Sequence, residues 1–223
     1  MKINKGAIFK ALAENDLVEL RRISNYFYNT SGIYQRTCDY FAFLYRYDWY
    51  IAPEIYDSKV KEEKVLTDFS KILNYLDRSY LKKVFGEIAL EIIKNGCYYG
   101  YILETPNELT LQPLPVDYCR SRFFVGQNPA VEFNMKFFDT FADITYRMKV
   151  LQLFPDEFRK GYLLYKQGKL PSDVPGEKCG GWYLLDPTNT IKFNFNNSDI
   201  PMFINSIPAI LDLYAAQDLD RKK

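Results

Sequence analysis

Between residues 95 and 97 the apolar side chains of this chain change their spacing. Before that point they recur every three or four residues. Leu81, Val84, Phe85, Ile88 and Ile92 make one stripe, the spacing that gathers side chains on one face of a helix. After it comes Cys97–Glu104 (CYYGYILE), an apolar run of strand length. Asn95-Gly96 stands at the junction. A glycine suits the left-handed position that closes a helix, because it has no Cβ to clash. Gly96 is therefore a candidate structural turn. Helical periodicity on one side and strand periodicity on the other predict an α+β fold. N-terminal helices would be followed by a small antiparallel β-meander and further helices.

Upstream of the junction, Ala7, Ile8, Ala11 and Leu12 mark a short helix, and Leu17, Leu20, Ile23 and Phe27 a second one capped by Asp16. After the turn signal Asn29–Gly32, Ser31 can cap a helix reaching about Tyr47. Tyr34, Cys38, Phe41 and Tyr45 form one stripe of it, and Ile33, Thr37, Tyr40, Leu44 and Tyr47 the next; only Gln35, Arg36, Asp39 and Arg46 mark a solvent side. So wide an apolar arc places a helix either centrally in its domain or between subunits. On the second alternative, Tyr34, Tyr40, Phe41, Tyr45, Tyr47 and Trp49 are candidate subunit-interface residues. Residues 52–60 read as a polar connector containing Pro53. The amphipathic segment 61–77 turns Val65, Phe69, Ile72, Leu73 and Leu76 inward, and Ser79 caps the helix that carries the Leu81–Ile92 stripe.

Downstream, strands at Cys97–Glu104 and Leu109–Leu114 flank the turn Pro106-Asn107-Glu108, and strands at Tyr118–Val125 and Ala130–Phe137 flank Gly126–Pro129. Together they predict a four-stranded meander. Helices are expected over 141–152 and from Pro155 to about Gln167, then a loop over 169–181. Two short strands, Trp182–Leu185 and Thr190–Phe195, surround Asp186–Asn189, and a last helix starts near Pro208. The expected division is an N-terminal helical arm (1–60), an α+β domain (61–206) and the start of a C-terminal helix (207–223).

Composition narrows the chemistry. The 223 residues contain no histidine, which removes the commonest general base and metal ligand. The four cysteines form no CxxC pair, so no zinc or redox motif is indicated and they are expected to be small core residues. With 29 basic against 28 acidic side chains, neutralising many phosphates is not the expected source of affinity. MKINKGAIFK lacks a signal-peptide core, and no apolar run approaches the roughly 20 residues of a membrane span. A reducing cytoplasm and no membrane are the resulting expectation. Nineteen Tyr and 17 Phe exceed the needs of a routine core; either they serve surfaces buried on assembly, or they replace Leu as a compositional habit. Glu87 and Glu91, one helical turn apart, are a possible carboxylate pair or simply a solvated face. Tyr118-Cys119-Arg120-Ser121-Arg122 interleaves aromatic and basic residues as single-strand binders do, or is an ordinary strand.

The order of these elements resembles portal proteins of tailed phages infecting Gram-positive hosts. Asn95–Arg120 (NGCYYGYILE…LTLQPLPVDYCR) carries the resemblance, with VEFNMKFFD (131–139), FPDEFRKGYLLYK (154–166), GWYLLDPTNTIKFNFN (181–196) and IPAILDLY (207–214) after it. The aromatic helix at 31–47 with Trp49-Tyr50 is similar to the family's N-terminal region. The resemblance implies a portal wing-like fold and a virion protein assembled in the host cytoplasm. It implies a homo-oligomeric, usually dodecameric, ring at one capsid vertex, through which double-stranded DNA passes without sequence specificity. Its partners would be the major capsid protein, terminase and neck or adaptor proteins. It implies no catalytic residues, cofactor or metal. Family members continue into stem helices, a clip and a crown, so the final helix here is expected to lead towards a stem. The alternatives are another virion structural protein, such as a neck, adaptor or head-completion subunit, and a histidine-independent carboxylate enzyme.

Overall fold

A computed structural model describes residues 3–44, 52, 62–106, 108–173, 175 and 179–221. The fold is α+β. Five helices come first: α1 (Lys5–Ala13), α2 (Leu17–Thr30), α3 (Gly32–Phe43), α4 (Glu62–Arg78) and α5 (Leu81–Asn95). Strands β1 (Cys97–Glu104), β2 (Leu109–Pro113), β3 (Cys119–Val125) and β4 (Asn128–Asn134) follow. Then come α6 (Lys136–Asp139), α7 (Ile144–Gln152), α8 (Asp156–Lys166), β5 (Trp182–Leu184), β6 (Thr190–Asn194) and α9 (Ile207–Arg221).

Local chemistry sets most helix starts. The side-chain oxygens of Asn4, Asp16, Ser31 and Asp143 accept from the backbone N–H groups of Ala7, Glu19, Tyr34 and Thr145, satisfying donors that the first helical turn leaves free. Ser79 is the exception to the sequence expectation. Its hydroxyl donates to the Tyr75 carbonyl at 3.0 Å and accepts the Leu109 N–H at 2.8 Å, so it is committed elsewhere. Tyr80, at φ +49°, precedes α5 without a side-chain cap.

The four strands after Gly96 are not one meander. With β5 and β6 they form two antiparallel three-stranded sheets, in the orders β2-β1-β6 and β3-β4-β5. Each hairpin pairs locally, as its turn dictates. β5 and β6 do not pair with each other; one completes each sheet. In the second sheet Cys119 faces Phe133 and Arg120 faces Glu132, with an irregularity between Ser121 and Phe124.

The chain divides into two compact units. The first comprises Met1–Tyr98, Leu103–Leu111 and Phe193–Lys223, the second Tyr99–Ile102 and Gln112–Lys192. In the first, one core gathers Ile8, Leu20, Ile23, Phe27, Tyr34 and Cys38 with Ile93, Ile204, Ile207 and Ile210. These units differ from the expected division at 60 and 206. Residues 1–44 are no separate arm, and α9 begins inside the same core, because its first turns present isoleucines to α1–α3. Gly86 allows α3 to approach α5: a Cβ there would lie 2.7 Å from the Phe43 ring. The second unit is built around Phe133, fully buried, whose ring meets Phe137, Phe138, Phe154 and Phe158. Here aromatics replace aliphatic core residues, and edge-to-face contacts order them.

Candidate interaction surface

α3 has two apolar faces, and the first unit buries one of them. Tyr34, Cys38 and Ala42 point into the core. Tyr34 was a candidate for a subunit interface; at 1% exposure, with its hydroxyl 2.9 Å from the Ser24 hydroxyl, it is a core residue and offers nothing to a partner. Its burial pushes its phenol far above the usual range. Cys38, fully buried beside it, has its thiol pushed up to about 11 by the same cause. Cys97 and Cys119 are buried too, and Cys179 is half-buried.

The other face of α3 stays in solvent. Tyr40 is 63% exposed, Ile33 44%, Phe41 42% and Leu44 39%. Tyr40 and Phe41 contact edge to face at 5.4 Å, and Phe41 lies 5.1 Å from the partly buried Phe203, which extends the patch. Arg36, on the border of this face, makes no side-chain bond among the described residues. Tyr45, Tyr47 and Trp49 lie outside the described residues. The structure thus brings Tyr40 and Phe41 together on the surface and takes Tyr34 away from them. Contiguous exposed apolar patches of this kind mark sites of association.

The apolar stripe of α4 is expected from its spacing to turn inward. None of its described side chains is buried, and Leu66 and Ile72 are 53% and 54% exposed. Val65, Phe69, Leu73 and Leu76 are half-buried, so the stripe is only partly covered. Gly96, by contrast, is enclosed. It takes φ +82°, its N–H donates to the Ile92 carbonyl at 2.7 Å, and the backbone of Asp199 and Ile200 closes over it.

The remaining candidates resolve into internal pairs. Glu87 lies 3.6 Å from Lys83, and Glu91 bonds Lys94 and Asn95, so the two carboxylates serve separate partners on a helix surface. Arg120 and Arg122 are held in internal pairs. Both donate to Glu132, at 2.8 and 2.9 Å, and both pair with Asp173. The Arg120 guanidinium also stacks 3.9 Å above the Trp182 ring. Burial alone would raise the Glu132 carboxyl, but the bonds from Arg122 and Arg120 outweigh it and hold it below the ordinary carboxylate range. No group of three or more acidic or cysteine side chains among the described residues could hold a metal ion, and no helix among them is long and apolar enough to cross a membrane. No known protein family, curated protein or solved structure matches the chain.

Proposed function

We propose that the chain is a structural subunit of a tailed-phage portal ring, the N-terminal and wing-like part of the channel through which DNA is packaged and ejected. The carrying observation is the outer face of α3. On a helix whose opposite face is core, Ile33, Tyr40, Phe41 and Leu44 gather in water, as a face that is covered on assembly would. It belongs to the segment that resembles the family's N-terminal region. In the ring, this face meets a neighbouring copy. Terminase and neck proteins dock on the assembled vertex, and DNA slides through a channel that a near-neutral chain does not grip.

The reading is tested by electron microscopy. Joined to a stem segment of the portal type, the protein forms rings; alone, it gives monomers and mixed oligomers. A sharply monodisperse dimer under all conditions would sink the reading. A terminase gene upstream and a capsid gene downstream of its own are the expected genomic neighbours.

A further inference from the structure

Two helices of the first unit leave apolar faces partly in solvent, through Ile33, Tyr40, Phe41 and Leu44 on α3 and through Leu66 and Ile72 on α4, and the charges bordering those faces are opposite in sign. On α4, Val65, Leu66, Phe69, Ile72, Leu73 and Leu76 share one side of the helix. At 100° per residue, Asp68 and Asp77 fall on its two borders, while Lys64, Lys71 and Arg78 fall behind it. Asp68 is held by Lys71 at 3.0 Å; Asp77 makes no side-chain bond among the described residues. On α3 the exposed face of Ile33, Tyr40, Phe41 and Leu44 is bordered by the cation of Arg36.

The size of the α3 face suits a stable contact. At roughly 200 Å² for a large side chain, the exposed fractions on α3 amount to on the order of several hundred Å² of apolar surface. One partner in a standard interface contributes about 800 Å², somewhat more than half of it apolar. The α3 face therefore supplies most of the apolar share that one side of such an interface needs.

We infer that the α4 face of one copy docks on the α3 face of the next, with Asp77 and Asp68 meeting Arg36 at the border. This rests on the ring reading and adds which surfaces meet. The two faces are different, so the contact is head-to-tail. Each copy offers α4 to one neighbour and α3 to the other. Such a contact propagates into a closed ring or an open filament and does not stop at a two-fold dimer.

Two full-length variants test it: Tyr40→Asp spoils the α3 face and Ile72→Asp the α4 face. Both positions are exposed, so both variants should keep the wild-type unfolding midpoint. In sedimentation velocity at rising concentration, the wild type forms species larger than a monomer. Each variant alone is expected to stay monomeric over that range, its dissociation constant raised at least about a hundredfold by a carboxylate in an apolar contact. The equimolar mixture is expected to form a 1:1 dimer, because each variant keeps the face the other has lost. Arg36→Asp should weaken assembly, and adding Asp77→Arg should restore it. A mixture that stays monomeric, or a variant that assembles like the wild type, overturns this docking and leaves the ring reading to its own test. A wild type that remains monomeric up to about 1 mM overturns the docking as well.

Discussion

At Gly96 two independent constraints coincide. The backbone sits at φ +82°, and a Cβ would fall within contact distance of the Asp199 carbonyl, which is backbone and cannot swing aside. A β-branched residue meets both penalties. Gly96→Val is expected to destabilise the protein by at least about 2 kcal/mol. Gly126, at φ +63° but with open space where its Cβ would lie, meets only the first, and Gly126→Ala should cost about 1 kcal/mol. Urea unfolding of the two variants checks the order; equal midpoints would contradict it. The need for glycine at 96 was legible from Asn-Gly between two periodicities. The approach of Asp199, a hundred residues further along, was not.

At the scale of elements, the difference lies in what covers each helix. α5 places Ile88, Ile92 and Ile93 in the interior, whereas its neighbour α4 buries none of its described side chains. In dilute protein the amides of α4 are expected to exchange with solvent on the order of 100-fold faster than those of α5, since local opening of α4 exposes little new apolar surface. Equal protection of the two helices would show that α4 is part of the global unit. α2 is tied to the end of α5 by Arg21. This side chain is 8% exposed, and its Nε donates to the Asn95 carbonyl at 2.9 Å. Arg21→Met removes a charged donor from a half-buried carbonyl and should cost about 2 kcal/mol, read from the thermal midpoint. A cost near zero would mean that the methionine simply fills the space. Hairpins were legible because their turns are local. That β5 completes the sheet of β3 and β4, while β6 joins β1, was not legible, because nothing within either strand specifies a distant neighbour.

The whole molecule has an expected pH profile. Without histidine, its unfolding midpoint should be nearly flat between about pH 5 and 8. On the acid side, Glu132 is held low by Arg122 and Arg120 against the effect of burial, and Asp139 by Lys166 and Tyr162 against the same effect. A depressed folded value contributes stability above the unfolded value near 4, lost as pH falls through the folded one. The midpoint should therefore drop only below about pH 4.5. On the alkaline side, burial pushes Tyr98 up to about 12, as it does Tyr28 and Tyr101 with help from Asp39 and Glu157, and Cys38 up to about 11. Raised folded values contribute stability that is complete below the unfolded values, near 8.5 for Cys and 10 for Tyr, and lost as pH rises through the folded ones. Differential scanning calorimetry from pH 3 to pH 11 should trace a plateau with two falling limbs. A shift of many degrees between pH 5 and 8 would reveal a further ionisable group whose proton affinity changes on folding.

Short-range chemistry alone determined the α+β class, the caps at Asp16 and Ser31, the helix end at Asn95-Gly96 and the two apolar stripes of α3. Each depends on spacing within one or two turns of chain. Tertiary structure alone decided which stripe is core. Tyr34 and Tyr40 are the same residue type on the same helix, yet Ser24 and the helices around it enclose the first and leave the second in water. It also decided that residues 1–44 and α9 share one core, and that Arg120 and Arg122 are neutralised by Glu132 and Asp173. The physical reason is common to these cases. Periodicity states how apolar a face is, but whether that face is buried depends on a partner distant in the chain, and no local pattern encodes where that partner will be.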